Sequence, residues 1–266
     1  MINTSLSQAP AGHTEAKAAA NISSDRSVIS FEPFENSPGW DKAQNWVLGL
    51  IEEYHCRSIL EIGSGANPTL SPAIVSRLGL HYVANDIDAA ELSKADHAFD
   101  RWVGDVAHDD IPPHMESAFD LVFSRMVNEH VKDGRAYHAN IHRLLAVGGI
   151  SAHCFSTLYS LPFLANRLLP ERISDFLLNV FNPRDPFKRG KFRAYYSWSR
   201  GPSDRMIARF ESLGFETLKY TGYFGHGYYW RMPLIHRLEL VKASRLLAKP
   251  IAALTSFAML VARKRR

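Results

Sequence analysis

Residues 59–68 read ILEIGSGANP: an apolar run, then Gly63 and Gly65, then Pro68 where a third glycine would complete G-x-G-x-x-G. An apolar run ending in closely spaced glycines is what a parallel strand looks like where it turns into a helix around a nucleotide. Glycine is needed in such a turn because a Cβ would block close backbone approach, or because the turn requires positive φ. The pair of glycines does not by itself name the ligand.

Outward from this turn, strand and helix alternate. Upstream, SPGWDKAQNWVLGLIEEYH (37–55) carries Trp46, Val47, Leu50 and Ile51 on one helical stripe, with Ser37 as the expected cap and Pro38 in the first turn. RSILEIG (57–63) is the first strand, SPAIVSRLGL (71–80) a helix opened by Ser71-Pro72, HYVANDID (81–88) the second strand and AAELSKA (89–95) a short helix. DRWVGDV (100–106) is the third strand. AFDLVFSRM (118–126) is the fourth, too continuously apolar for a solvent-facing edge. GRAYHANIHRLLAVGG (134–149) predicts an amphipathic helix closed by a glycine cap, followed by GISAHCF as the fifth strand. The rhythm lapses over about 157–202 and resumes with a helix at 203–214, a strand at 215–223, a helix at 234–248 and a last strand at 256–264. This alternation implies an α/β fold, a doubly wound and mostly parallel sheet with right-handed crossovers.

The bulk numbers are those of one ordinary globular domain: 266 residues, 46% hydrophobic and 22% charged. The net charge of +4 is a mild excess, partly held by Arg263-Lys264-Arg265-Arg266, and is not a nucleic-acid signature by itself. Two distant cysteines, Cys56 and Cys154, give no disulfide framework or metal cluster, so a reducing cytoplasm is the expected compartment. Residues 1–30 lack a basic start and a continuous apolar run, and read as a flexible leader to a single domain over 31–266. From Leu144 to Asn166 no Lys, Arg, Asp or Glu occurs, a length that could span a bilayer. Gly148-Gly149, His153 and Pro162 favour a turn, a buried strand and a loop instead.

Three acids narrow the ligand. Glu61 lies two residues before Gly63, where a pyrophosphate would gain nothing from a carboxylate but a cationic amino group would. Asp86 ends the second strand, placed to accept two ribose hydroxyls, a feature shared by NAD enzymes. Asp105 ends the third strand, placed to accept an adenine amine, with the Val106 N–H available to a ring nitrogen. An NAD-dependent oxidoreductase is thereby disfavoured, and Pro68 is no defect, since no pyrophosphate has to approach there.

Together these residues resemble the class I S-adenosylmethionine (SAM)-dependent methyltransferases, of the type 11 kind. The resemblance rests on Glu61-Ile62-Gly63-Ser64-Gly65, Asp86, Gly104-Asp105, Phe119-Asp120-Leu121-Val122, Glu129-His130 and Leu145-Ala146-Val147-Gly148-Gly149, and covers residues 40 to 156 and the final strands. It implies a seven-stranded Rossmann-like sheet ordered 3-2-1-4-5-7-6 with the last strand antiparallel. It implies SAM as cofactor and S-adenosylhomocysteine as product. The loop of Gly63, Ser64 and Gly65 would pass the methionine portion, with Glu61 assisting its amino group. Asp86, with Ile87 beside it, would hold the ribose, and Asp105 with Val106 the adenine. Ser124, just past the fourth strand, would offer its backbone beside the methionine end.

In methyl transfer from a sulfonium the protein aligns the acceptor and excludes water, and a hydroxyl acceptor also needs a base. His130 is the candidate catalytic base, on the helix expected after strand four; Tyr195 and His226 follow it. His153, inside a predicted buried strand, reads as core. The insertion interleaves Arg184, Lys188, Arg189, Lys191, Arg193 and Arg200 with Phe187, Phe192, Tyr195, Tyr196 and Trp198, which fits stacking and phosphate contact. Base-methylating members of the family carry N/D-P-P-Y/F after strand four, and here that position reads SRMV, so nucleic acid is disfavoured. The helix at 234–248 is basic and amphipathic, which suits packing against the sheet first and an anionic membrane surface second. The expected enzyme is an O-methyltransferase acting on a small-molecule, glycan or lipid-linked acceptor, phosphorylated or not. It would be cytoplasmic, with peripheral contact at the membrane inner face. A SAM-binding module without catalysis is the alternative, and no oligomeric state follows from the sequence.

Overall fold

The computed structural model describes residues 27–158 and 193–265. Most of the leader and most of the insertion, with Arg184, Phe187, Lys188, Arg189, Lys191 and Phe192, lie outside the described residues. The strands are β1 (Ile29–Pro33), β2 (Ser58–Ile62), β3 (His81–Asp86), β4 (Asp100–Val103), β5 (Phe119–Arg125), β6 (Leu145–Ser156), β7 (Phe215–Phe224) and β8 (Phe257–Lys264). The helices are α1 (Ala43–Glu53), α2 (Pro72–Leu78), α3 (Ala89–Leu92), α4 (Gly134–Leu144), α5 (Asp204–Glu211) and α6 (Pro233–Ala248).

The sheet runs β1-β7-β8-β6-β5-β2-β3-β4. Seven of these strands reproduce the expected 3-2-1-4-5-7-6 order, and β8 is antiparallel to both neighbours, β6 and β7. The eighth is a correction to the expected count. Residues 29–33, the first two read as leader, pair in parallel with β7 from Ile29↔Tyr220 to Pro33↔Phe224. Ile29 and Phe31 alternating with Ser30 and Glu32 in so short a run is a weak signal, and only the edge of β7 makes it a strand.

Both faces of the sheet are covered. Val47, Leu50 and Ile51 of α1 pack with Ile59, Tyr82, Leu121, Phe123 and Met259 on one face. Tyr137, Ile141 and Leu144 of α4, with Met206 and Phe210 of α5, pack with Leu60, Val83, Val122 and Leu260 on the other. Consecutive β2 residues thus point to opposite cores, which is why that strand is apolar throughout.

Local signals succeeded where the chain is simplest. Helix α2 starts at the Ser71 cap, has proline in its first turn, and stops at Gly79 in the left-handed region (φ 60°). Two expectations fail. Ser37 caps nothing in α1, which begins six residues later behind Lys42, because Trp40 packs against Phe34 and Phe257 and holds 38–41 in turns. Gly148-Gly149 does not cap α4, whose last residue runs directly into β6. The glycines lie inside that strand, where the register with β5 shifts between Phe119 and Leu121.

Candidate functional site

The carboxyl ends of β2, β3 and β4, the turn after β5 and residues 193 and 195 enclose a cavity of about 430 Å³. Its walls include Gly63, Asp86, Ile87, Asp105, Val106, His130 and Tyr195, all nominated from sequence, together with Asn85, His108, Val131, Lys132, Tyr137 and Arg193, which were not nominated for this site. A larger groove of about 1050 Å³, between α1 and the β1–β7–β8 end of the sheet, holds none of the motif residues.

Gly63 has φ 72°, and a Cβ there would lie 2.3 Å from Val127 Cγ2. It is needed on both counts, conformation and space. Gly65 (φ 53°) donates its N–H to Asp86 Oδ2 at 2.9 Å, while Asp86 Oδ1 accepts from Asp88 N–H at 2.9 Å. A carboxylate has about four acceptor positions, so these two bonds orient Asp86 without exhausting it. Asp105 is fixed in the same way, by Ala107 N–H at 2.8 Å and His108 Nδ1 at 2.8 Å. Asn85 Nδ2 donates to the carbonyls of Trp102 (2.9 Å) and Gly104 (3.1 Å), tying the end of β4 to β3. The Val106 carbonyl accepts from Asn140 Nδ2 at 2.9 Å, and its N–H has no partner among the described residues.

Four of the nominated cofactor residues lie elsewhere. Glu61 is 1% exposed and does not reach the cavity. Its carboxylate accepts from Thr69 N–H (2.8 Å), Thr69 Oγ1–H (2.5 Å) and the Tyr82 hydroxyl, with Arg125 Nε at 3.9 Å. Burial pushes its pKa up, and Thr69, Tyr82 and Arg125 pull against that. Glu61 therefore closes the glycine loop from below. Ser64 is buried and bonds back to the Asn85 carbonyl, its N–H at 3.0 Å and its hydroxyl at 3.3 Å. Gly65 acts through Asp86. Ser124 is inside β5 and not past it, because that strand pairs on through Arg125↔Cys154. Its hydroxyl bonds Asn128 Oδ1 (2.9 Å) and His153 Nδ1 (2.7 Å).

His130 closes a short 3-10 turn, Asn128–His130, ahead of α4, and is not on a helix as expected. Its Nδ1 is 3.2 Å from the Arg193 carbonyl oxygen. A carbonyl only accepts, so in the neutral ring Nδ1 carries the proton and Nε2 is the basic nitrogen. Glu129 beside it is buried, with Oε1 accepting from the Ser156 hydroxyl at 2.9 Å, and burial raises its pKa. Its carbonyl receives the N–H groups of Tyr195 (2.7 Å) and Tyr196 (3.0 Å), which carries 193–196 onto the cavity rim. His153 is in the core as expected, between the hydroxyls of Ser124 and Ser151, with its pKa driven well down by burial. His226 is buried against Glu239 on α6 and does not line the cavity. No metal-binding cluster occurs among the described residues.

The donor set suits an adenosyl group. There are carboxylate acceptors for a diol and an exocyclic amine, an open N–H on Val106 and apolar walls from Ile87, Val106, Val127 and Val131, and the glycine turn itself, Gly63 to Leu70, carries no lysine or arginine. Residues 60–152 match the family described as a methyltransferase domain. No curated protein sequence matches the chain. Among solved structures it is similar to phosphoethanolamine N-methyltransferase 2 of Haemonchus contortus in complex with S-adenosyl-L-methionine. The identity is 15%, over 84% of this chain and 53% of that one, with a TM-score of 0.52. The same enzyme in complex with phosphomonomethylethanolamine and S-adenosylhomocysteine gives 15% identity, 84% and 53% coverage, and a TM-score of 0.51. The chain thus spans about half the length of those proteins. A SAM-dependent methyltransferase from Mesorhizobium loti gives 15% identity, 86% and 99% coverage, and a TM-score of 0.48.

Proposed function

We propose that the chain is a class I SAM-dependent methyltransferase and that it methylates an oxygen atom on a small-molecule, glycan or lipid-linked acceptor, with His130 as general base. SAM, its cofactor, supplies a methyl group already activated by the sulfonium. Gly63 would pass the methionine portion, Asp86 and Ile87 would take the ribose, and Asp105 with the Val106 N–H would take the adenine. The remaining work falls to the chain's own side chains, which orient the acceptor, exclude water and accept one proton.

The observation that carries the oxygen reading is His130 on the wall of the cavity that also presents Asp86 and Asp105, with Nδ1 bound to a carbonyl so that Nε2 is the basic nitrogen. A hydroxyl loses its proton as the new carbon–oxygen bond forms, and Nε2 takes it. Lys132 and Arg193 on the same wall support an acceptor bearing a phosphate or another anionic group. Arg193 is held over the Tyr195 ring, 5.5 Å from its centre. The two cysteines, free and buried, support a reducing, cytoplasmic location.

Incubation with methyl-labelled SAM and fractionated cell extract, followed by identification of the labelled species, tests the acceptor. Label on nitrogen or carbon would refute the oxygen reading. For the base, His130→Ala is expected to lower turnover by about a hundredfold or more, while calorimetry shows SAM affinity within a factor of about two of the parent. Unchanged turnover on the identified acceptor would remove His130 from the mechanism.

A further inference from the structure

Helix α6 is turned inside out for a helix that only packs on a sheet. Its buried positions are Glu239, Ala243 and Leu246, of which Ala243 and Leu246 pack with Phe224 of β7. Its outer face carries Leu234, 80% exposed, Leu238, 69% exposed, and Val241, with Ile235 and Leu240 exposed to either side. Leu234, Leu238 and Val241 recur at i, i+4 and i+7, a stripe along the first half of the helix. Trp230, 58% exposed, stands in the turn before the helix, and Ile251 and Leu254 extend exposed apolar surface beyond its end.

The charges are sorted by sign. Glu239, the only acid in the helix, is drawn inward, with Lys242 Nζ at 2.6 Å and His226 Nε2 at 3.5 Å. The outer face is left with positive charge alone. Arg237 flanks the stripe, Arg245 continues its line at i+11, Lys249 follows the helix, and Arg231 precedes it, its guanidinium 4.9 Å from the Trp230 ring centre. No described helix is long and apolar enough to cross a membrane. An apolar stripe bordered by arginine, with a tryptophan at its edge, matches the boundary between lipid headgroups and acyl chains. A second copy of the chain is a poor occupant, since pairing α6 with α6 sets arginine against arginine.

We infer that α6 is an interfacial anchor. The stripe Leu234–Leu238–Val241 enters the headgroup layer of a bilayer containing anionic phospholipid, and Arg231, Arg237, Arg245 and Lys249 contact the lipid phosphates. The inference does not rest on the methyl-transfer reading, and its test reads no activity. The full chain is sedimented with vesicles of phosphatidylcholine alone and of phosphatidylcholine mixed with phosphatidylglycerol. Wild-type protein is expected to pellet with the mixed vesicles, to be released by raised salt, and to stay in solution with the neutral ones. Leu234→Ser with Leu238→Ser, and separately Arg237→Glu with Arg245→Glu, are each expected to weaken pelleting by about tenfold or more. These side chains are exposed, so thermal unfolding should not move, and that is measured alongside. Absence of wild-type pelleting, or equal pelleting by wild type and both double variants, would overturn the anchor. So would a dimer seen by equilibrium sedimentation that the serine variant dissolves, since the stripe would then belong to a second copy.

Discussion

Glu61 holds the glycine loop by three donors, two from Thr69 and one from Tyr82. The Thr69 N–H and the Tyr82 hydroxyl meet Oε2 and the Thr69 hydroxyl meets Oε1, so removing the carboxylate leaves a backbone N–H and a buried phenol without their acceptor. Glu61→Ala is therefore expected to lower stability by about 1–3 kcal/mol and to weaken SAM binding in the same variant. Calorimetry and thermal unfolding, run together, decide the role. Loss of affinity with an unchanged melting temperature would mean that Glu61 meets the cofactor directly. The presence of an acid before Gly63 could be read from the chain, but its orientation could not. Thr69 and Tyr82 are eight and twenty-one residues away, and only pairing of β2 with β3 brings Tyr82 alongside. Asn85 was legible in principle, as a polar residue inside an apolar strand. Lys132 carries no such mark, and Arg193 was read only as one of the insertion's basic residues.

Helix α4 links local sequence to the site. It opens at Asp133, whose Oδ1 accepts from Ala136 N–H at 3.0 Å, and its next turns place Tyr137 on the cavity wall and Asn140 on the Val106 carbonyl. Asp133→Ala is expected to cost about 1 kcal/mol, seen as a lower urea midpoint at constant slope. An unchanged midpoint would show that packing alone holds the first turn. The helix itself was legible from Ile141 and Leu144, since a 3.6-residue stripe survives whatever lies beneath it. Its end was not. Gly148-Gly149 looks like a cap, yet β5 offers an open edge, and pairing with it takes Leu145 into a strand. The strand at 29–33 was missed for the matching reason, being set by the β7 edge and not by its own composition.

For the molecule as a whole, buried histidines set the response to acid. Burial lowers the pKa of His138 from 6.5 to about 3 and that of His226 to about 4, and drives that of His153 well down. Each ring gains a proton on unfolding near its ordinary pKa, and in the native state only far below it. Their contribution to stability is thus complete above pH 6.5 and is lost as the pH falls from there toward the folded values. Glu61 and Glu129, raised by burial, act in the opposite sense and recover stability as the pH falls. His138 Nδ1 has no hydrogen-bond partner among the described residues, and its ring lies among Tyr137, His153, Trp198 and Phe210. In His138→Phe the loss of stability between pH 6.5 and 5 is expected to be smaller than in the parent by about 2 kcal/mol, one proton's share. Urea unfolding of both proteins at each pH measures it, and parallel curves would show that His138 does not contribute.

From its own residues the chain determined the alternation of strand and helix, the glycine turn and the two acids at the ends of β3 and β4, and with them the expectation of an adenosyl ligand. Each of these is a short-range pattern, and a parallel sheet leaves few other ways to place them. It did not determine that Glu61 and Ser124 point away from the cavity, that His130 ends a 3-10 turn with its ring nitrogen on a carbonyl sixty-three residues away, or that α6 buries its one acid. Those outcomes depend on strand register and on which side chains meet across the core, and no local window contains that information.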